Sequence, residues 1–370
     1  MTNLKPSENS RGASKVSTES YKGVRDFYPE DMAIQNYIFS IWKKTAESFG
    51  YQEYNASILE YTDLFKAKSG AEIVNEQTYT FVDRGEREVT LRPEMTPTVA
   101  RMIAAKRKAL AFPIRWYAIA NCFRYEKPQK GRLRDFFQFN ADLFGVENIE
   151  ADIEMISLAY QTMKNFGFKD NQFEIKINVG TNTDKKDAEI LIKKLGEIGI
   201  KNTKFDESVI RGAEYYTGIV FEIYDTNKEN SRAIFGGGRY DNLLDIFEAE
   251  KIPAVGFGMG DVIIRDMLET YNLLPQTTPP AKLFIPVIDE NSIAYAQKMA
   301  MIGITGGSSA IVGYSGRKIG DQIKYADKNK IPFVMIIGEN EIKSGKFKIK
   351  ELSTGKEIDA TEDTISEIIK

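Results

Sequence analysis

Histidine is missing altogether from this chain, and the absence does more than any single motif to narrow its chemistry. Ser-His-Asp and Cys-His nucleophilic machinery is excluded, as is every metal site that uses imidazole. Cys122 is the lone cysteine. No disulfide can form within the chain, a structural zinc site is argued against, and a reducing cytoplasm fits. No apolar run approaches the roughly 20 residues of a membrane span, and the N-terminus has no signal-peptide core. The net charge of −3 excludes a protein that grips nucleic acid by bulk charge, but leaves local basic patches open. Chemistry must therefore come from arginine, carboxylates, tyrosine, backbone and a bound cation.

What is present is a chain of 370 residues, 42% apolar and 28% charged, long enough for two domains. Its centre of interest is FRYEKPQKGRLRDFFQFNADLFG, residues 123–145. Arg124, Lys127, Lys130, Arg132 and Arg134 face only Glu126 across the eleven residues 124–134. Apolar alternation flanks this loop: Trp116, Ala118, Ala120 and Cys122 before it, Phe137, Phe139, Ala141 and Leu143 after it. The pattern predicts two strands joined by a long basic hairpin, with Pro128 and Gly131 shaping the tip. Most charge clusters are solvated faces. Here three of the cations are arginines, whose planar forks suit bidentate contact with phosphate oxygens.

That run resembles motif 2 of class II aminoacyl-tRNA synthetases. Its Pro-Gln-Lys-Gly-Arg loop, with Gln138 four residues before Asp142, resembles the histidyl-tRNA synthetase family in particular. The resemblance implies an α+β fold: the class II antiparallel sheet flanked by helices, plus a small α/β anticodon-binding domain. It also implies ATP, Mg2+, L-histidine and tRNA(His) as cofactors and partners, and a homodimer.

Other segments extend the likeness. Residues 1–19 read as a disordered tail. YKGVRDFYPEDM then leads into an amphipathic helix over about 33–49, and the stretch 51–60 is similar to motif 1, with Ser57 where the family has proline. In LRPEMTPTVAR, Pro93 and Pro97 bracket Glu94 and Thr96 before a helix; this would otherwise be an ordinary capped helix start. The resemblance gives Glu94, Thr96 and Gln138 to the amino group of the amino acid. VIRGAEYYTGIVFEIYD is similar to the signature of histidyl enzymes and implies that Arg211 faces Arg124 across the α-phosphate. Asp142 with Tyr215 or Tyr216 would then read the imidazole, since a neutral ring offers one donor and one acceptor. Glu126 is implied to contact ATP or magnesium, Arg132 the outer phosphates and Phe136 the adenine. Gln129, Lys130 and Arg134 are expected to meet tRNA.

Besides Ser57, the sequence departs from the family in its insertion and in its third motif. About thirty residues, with one lysine-rich helix near 185–198, stand where a larger insertion usually touches the acceptor arm (about 183–208). GGGRYDNLL, 236–244, reads as a strand end or turn. In AVGFGMGDVIIRDML, 254–268, similar to motif 3, Asp261 and Val262 replace the usual Glu-Arg pair, and Arg265 is expected to face elsewhere. The catalytic domain is thus expected over 20–274 and a linker over 275–281. Residues 282–370 are expected to form a small domain with a mostly parallel sheet, contacting RNA through Arg317, Lys318 and Lys324. A catalytically inactive relative is the alternative, either the regulatory subunit of ATP phosphoribosyltransferase or a tRNA-sensing module. Tyr125 and Phe137 occupy positions where relatives often carry histidine.

Overall fold

The computed structural model describes residues 16–66, 77–180, 183–211, 216–227, 230, 232–276 and 278–370. Most of the expected tail, and Tyr215, lie outside the described residues. The chain divides into two compact units, Met1–Pro275 and Gln276–Lys370.

The first unit is built on an eight-stranded sheet. Its strands are β1 (Gln52–Glu53), β5 (Ile114–Phe123), β6 (Asp135–Phe144), β7 (Phe173–Val179), β8 (Thr203–Phe205), β9 (Ile219–Asp225), β10 (Ala233–Arg239) and β11 (Ala254–Gly260). They run in the order β1-β5-β6-β11-β10-β9-β7-β8. All neighbours are antiparallel except the two outer pairs, β1 with β5 and β7 with β8. Strand β2 (Leu59–Tyr61), β3 (Tyr79–Val82) and β4 (Glu88–Leu91) form a separate three-stranded sheet in the order β2-β4-β3. The motif 1 stretch is therefore divided between two sheets rather than being one strand.

Period-2 alternation decides what each face of the large sheet does. Tyr117, Phe139, Ala141, Leu143 and Phe257 point to a core with helices α1 (Pro29–Ser48), α4 (Glu150–Asn165), α5 (Lys185–Glu197) and α6 (Asp261–Thr270). Trp42 of α1 stacks on Phe139 there, centroids 5.6 Å apart. The short helix α2 (Asp63–Lys66) lies beside the small sheet, and α3 (Thr96–Lys106) covers the other face of the large one. Met95, Val99, Ala100 and Ile103 pack there against Ala118, Ala120 and Cys122, with Leu243 and Leu244 completing the layer. Burial pushes the Cys122 thiol up to about 12, so it behaves as a small apolar core residue.

The second unit has its own core, centred on Leu283, Ile285, Met299, Met335, Phe347 and Ile349. Strand β12 (Leu283–Ile285) pairs in parallel with β13 (Ala310–Val312) and β14 (Phe333–Met335). The sheet is completed by an antiparallel hairpin, β15 (Phe347–Glu351) and β16 (Glu357–Ala360), so it is less parallel than expected. The parallel strands carry the continuous apolar runs. The hairpin alternates buried and exposed residues, Phe347 and Ile349 inward, Lys348 and Lys350 outward. Helices α7 (Ile293–Thr305), α8 (Ile319–Lys328), α9 (Glu339–Ser344) and α10 (Ile365–Ile368) surround it.

Candidate active site

The β5–β6 hairpin forms as its alternation predicts, and its loop borders a cleft of about 580 Å³. Arg124, Glu126, Lys130, Arg132, Phe136, Gln138 and Arg211 all line it. Arg124 Nε donates to the carbonyl of Pro93 at 3.0 Å, and its guanidinium lies over the Phe136 ring, 5.2 Å from the centroid. Arg211 arrives from a different part of the chain, donates to Glu222 Oε1 at 3.2 Å and lies 5.5 Å from the Tyr216 ring centroid. Glu126 sits between Arg124 and Arg132, at 4.0 and 3.4 Å. Two guanidinium groups from separate segments thus share one cavity with fixed partners that hold their orientation.

The glycine run 236–238 is not a turn. It lies within β10, in the middle of the sheet, beside the alternating glycines of β11: Gly236 faces Gly258 and Gly238 faces Gly256. On the other side of β11, Gly256, Gly258 and Gly260 face Asp142, Asn140 and Gln138 of β6. A side chain at Gly256 would come within 2.6 Å of Asp142 Oδ1, and one at Gly258 within 2.8 Å of Gln138 Nε2. On the opposite side of β6, Ala120 and Ala118 face Gln138 and Asn140. The small residues leave a trough, and the polar side chains of β6 stand along its floor.

Asp142 is fully enclosed, and burial pushes its carboxyl up to about 7, against the hydrogen bond from Tyr240 that pulls it down. The Tyr240 hydroxyl donates to Asp142 Oδ1. Among the described residues, Asp142 Oδ2, Asn140 Oδ1 and Gln138 Oε1 are buried without a hydrogen-bond partner. Three unfilled acceptors in a row on one strand form a surface made for N–H donors. Glu94 and Thr96 are buried at the start of α3, and Tyr216 packs edge-on to Tyr240, centroids 6.2 Å apart. Neither these three nor Asp142 lines the cleft itself; Gln138 stands where the trough opens into it.

Several expected residues sit elsewhere than their sequence context suggested. Arg134 is buried: Nε donates to the carbonyl of Glu126, Nη1 to the Tyr21 hydroxyl and the Lys22 carbonyl, and the guanidinium stacks over Tyr125 at 4.0 Å. It clamps the hairpin base to the N-terminal segment instead of facing a ligand. Gln129 bridges to Arg132 across the loop tip and accepts from Arg232 Nη2 at 3.3 Å. Asp261, in the altered third motif, is buried; it pairs with Arg25 at 2.9 Å and accepts from the Phe137 amide. Arg265 turns to Asp31 (2.7 Å) and Glu269, so it leaves the cleft to Val262 and Ile263. Phe137 packs with Phe27 and Phe39. Arg317, Lys318 and Lys324 are exposed at the start of α8 and along it.

Sequence reasoning missed four residues. Arg232 and Glu222 line the cleft, Tyr240 holds Asp142, and Asn140 lies in the trough. Only Asn140 had a readable signal, since it shares the parity of Gln138 and Asp142 on one strand.

Comparison with known proteins gives the family. The histidyl-tRNA synthetase model matches residues 23–181 and 178–260, and the anticodon binding domain model matches 282–370. The histidine–tRNA ligase of Leptospira biflexa is 38% identical, covering 92% of this chain and 94% of that protein. That of Thermoplasma volcanium is 36% identical, with 92% and 96% covered. The apo structure of the Staphylococcus aureus histidyl-tRNA synthetase superimposes with a TM-score of 0.84 at 29% identity, covering 96% of this chain and all of that one. A Bacillus halodurans structure described as an ATP phosphoribosyltransferase regulatory subunit/histidyl-tRNA synthetase has a TM-score of 0.70 at 20% identity over 84% of this chain, which speaks to the fold alone. With the model match and the relatives spanning nearly its whole length, the chain belongs to the histidyl-tRNA synthetase family.

Proposed function

We propose that this chain is a histidine–tRNA ligase whose cleft and trough activate L-histidine with ATP. The carboxylate of histidine attacks the α-phosphorus, pyrophosphate leaves, and the terminal ribose hydroxyl of tRNA(His) then displaces AMP from the adenylate. Charge builds on phosphate oxygens in the first step. Fixed cations on both sides lower that barrier without proton transfer. Arg124 and Arg211 take this role, Arg132 holds the outer phosphates, and Phe136 stacks on adenine. Glu94, Thr96 and Gln138 receive the ammonium group, while Asp142, oriented by Tyr240, accepts from one ring nitrogen and the hydroxyl of Tyr215 or Tyr216 donates to the other. The observation that carries the reading is the convergence of Arg124 and Arg211 on one cleft that opens beside the unfilled acceptors of β6.

Magnesium fits this donor set in one manner only. Among the described residues no cluster of three or more ligating side chains exists, while Glu126 and Glu222 line the cleft. Such a site suits a cation held chiefly by nucleotide phosphates and one or two carboxylates, where it would neutralise phosphate charge. Gln129 and Lys130 at the loop tip, with Arg317, Lys318 and Lys324 on the second unit, are the proposed tRNA contacts. Among the described residues no helix is long and apolar enough to cross a membrane. A homodimer is part of the proposal, and the exposed Leu59, Tyr61 and Phe81 of the three-stranded sheet give a second copy an apolar face to cover.

Histidine-dependent exchange of pyrophosphate into ATP by the purified protein tests this. Exchange that requires L-histidine, followed by transfer to tRNA(His), is expected. No exchange at saturating histidine overturns the enzyme reading.

A further inference from the structure

Arg211 is placed differently from its counterpart across the cleft. Arg124 directly follows β5 and is tied to a backbone carbonyl, whereas Arg211 lies between β8 and β9, outside either strand. Asn178 on β7 brings the chain toward this point, its Nδ2 donating to the carbonyls of Glu207 and Val209 at 3.2 and 3.0 Å. Gly236 then leaves the space for the guanidinium: a Cβ there would overlap Arg211 Nη1 and crowd the Glu222 side chain. Gly236 faces Glu222 across β10 and β9, so the glycine and the carboxylate that Arg211 meets at 3.2 Å lie side by side.

A carboxylate beside that arginine cuts both ways. It fixes a cation that must meet phosphate, but a bidentate fork would take two of the cation's donors, and an uncovered oxygen would repel the incoming nucleotide. Tyr224, two residues along β9 and so on the same face, meets both problems. Its hydroxyl donates to Glu222 Oε2 at 2.6 Å, while Oε1 accepts from Arg211 Nη1. The ring is itself fixed: Lys176 Nζ sits 4.2 Å from its centroid and is held in turn by Asp206 at 3.0 Å. Burial, and then the bond to Glu222, push the Tyr224 hydroxyl above its ordinary range, so it stays a donor at working pH. Phe221 and Ile223 fill the core on the other face of the strand, whereas Tyr224 lines the cleft. Packing alone does not account for it.

We infer that Tyr224 is a positioning residue for the activation step: it binds one oxygen of Glu222, and the other oxygen then sets the Arg211 guanidinium against the α-phosphate. This rests on the ligase reading and deepens it. A cation turned away from the place where charge develops lowers the rate of the step while leaving substrate binding largely intact.

The test compares the full-length wild type with Tyr224→Phe, Glu222→Ala and the double variant, by pyrophosphate exchange and thermal melting, together with a crystal structure of the Tyr224→Phe protein. Tyr224→Phe should lower kcat about tenfold, with KM for ATP and for histidine within about twofold of the wild type and the melting temperature unchanged. In the Glu222→Ala background the same substitution should change kcat by less than about twofold, since the hydroxyl acts only through that carboxylate. The crystal structure should show Glu222 turned, with both oxygens toward Arg211 or the pair parted. A wild-type kcat overturns the assignment. So does a raised KM for ATP with kcat held, which would make the ring a direct nucleotide contact, and so does an additive loss in the double variant or an Arg211–Glu222 pair left undisturbed in the crystal. Should Glu222→Ala fail to fold, the split between kcat and KM in Tyr224→Phe decides. If the wild type shows no histidine-dependent exchange, the ligase reading itself fails, and the crystal structure alone then judges how Arg211 is held.

Discussion

Asp142 sits where its charge is most constrained, and the consequence is a pH dependence of known sign. Burial raises its carboxyl from 3.8 to about 7. Between those values the unfolded chain is ionised while the folded one holds the proton. The contribution to stability is therefore full below about pH 4 and is lost as pH rises through 7, by up to about 4 kcal/mol across that interval. Asp142→Asn removes this dependence. Melting of the ligand-free proteins should show the variant gaining on the wild type between pH 5 and pH 8; a difference independent of pH contradicts the buried-carboxyl assignment. Arg232 makes the opposite kind of prediction. It is exposed, borders the same cleft as Arg124 and Arg211, and donates to the side-chain oxygen of Gln129. With Lys130, it borders the side of the cleft where Val262 and Ile263 leave the third motif without a cation. Arg232→Ala should leave the melting temperature unchanged and raise KM for ATP on the order of tenfold, with KM for histidine unmoved.

The hairpin is held at its base from outside itself. The Arg134 amide donates to the Gly23 carbonyl at 2.7 Å, the side chain reaches Tyr21 and Lys22, and the Arg25 amide donates to Asp135 Oδ1 at 3.1 Å. Arg134→Ala should destabilise the unit by about 1–3 kcal/mol and speed amide hydrogen exchange across 124–134. Arg132→Ala, at an exposed position, should weaken ATP binding and leave exchange alone. Equal protection in the two variants would show that the loop needs no such clamp. In sequence the two arginines look alike, because the contact that distinguishes them comes from residues about 110 positions away. The strands themselves were legible wherever side chains displayed the alternation, as in β5 and β6. The glycine stretch of β10 could be read only as a strand end or turn, since residues without side chains show no period. Short β8 was lost for want of length, and β1 was merged with β2 into the single stretch 51–60. The trough was half visible: Gln138 and Asp142 were found through resemblance, whereas Tyr240 and Arg232 are joined to them only by pairings across the sheet.

At the scale of the molecule, the two units keep separate cores. Every residue of the two clusters around the large sheet precedes Pro275, and every residue of the other two follows Ala281. The cleft and the trough belong wholly to the first unit. The second has nearly balanced charge, thirteen basic and twelve acidic residues over 281–370. Contact with RNA must then come from local patches, and patch contacts to phosphate weaken with salt whereas a small substrate enclosed in a buried trough is shielded from it. A chain ending at Pro275 should retain histidine-dependent pyrophosphate exchange within a few-fold and lose most transfer to tRNA. In the full chain, transfer should decline between about 50 and 200 mM salt much more steeply than exchange. If both reactions decline together, or if the truncated chain transfers as well as the whole one, the second unit is not the RNA-binding element, and recognition must be sought on the hairpin loop alone.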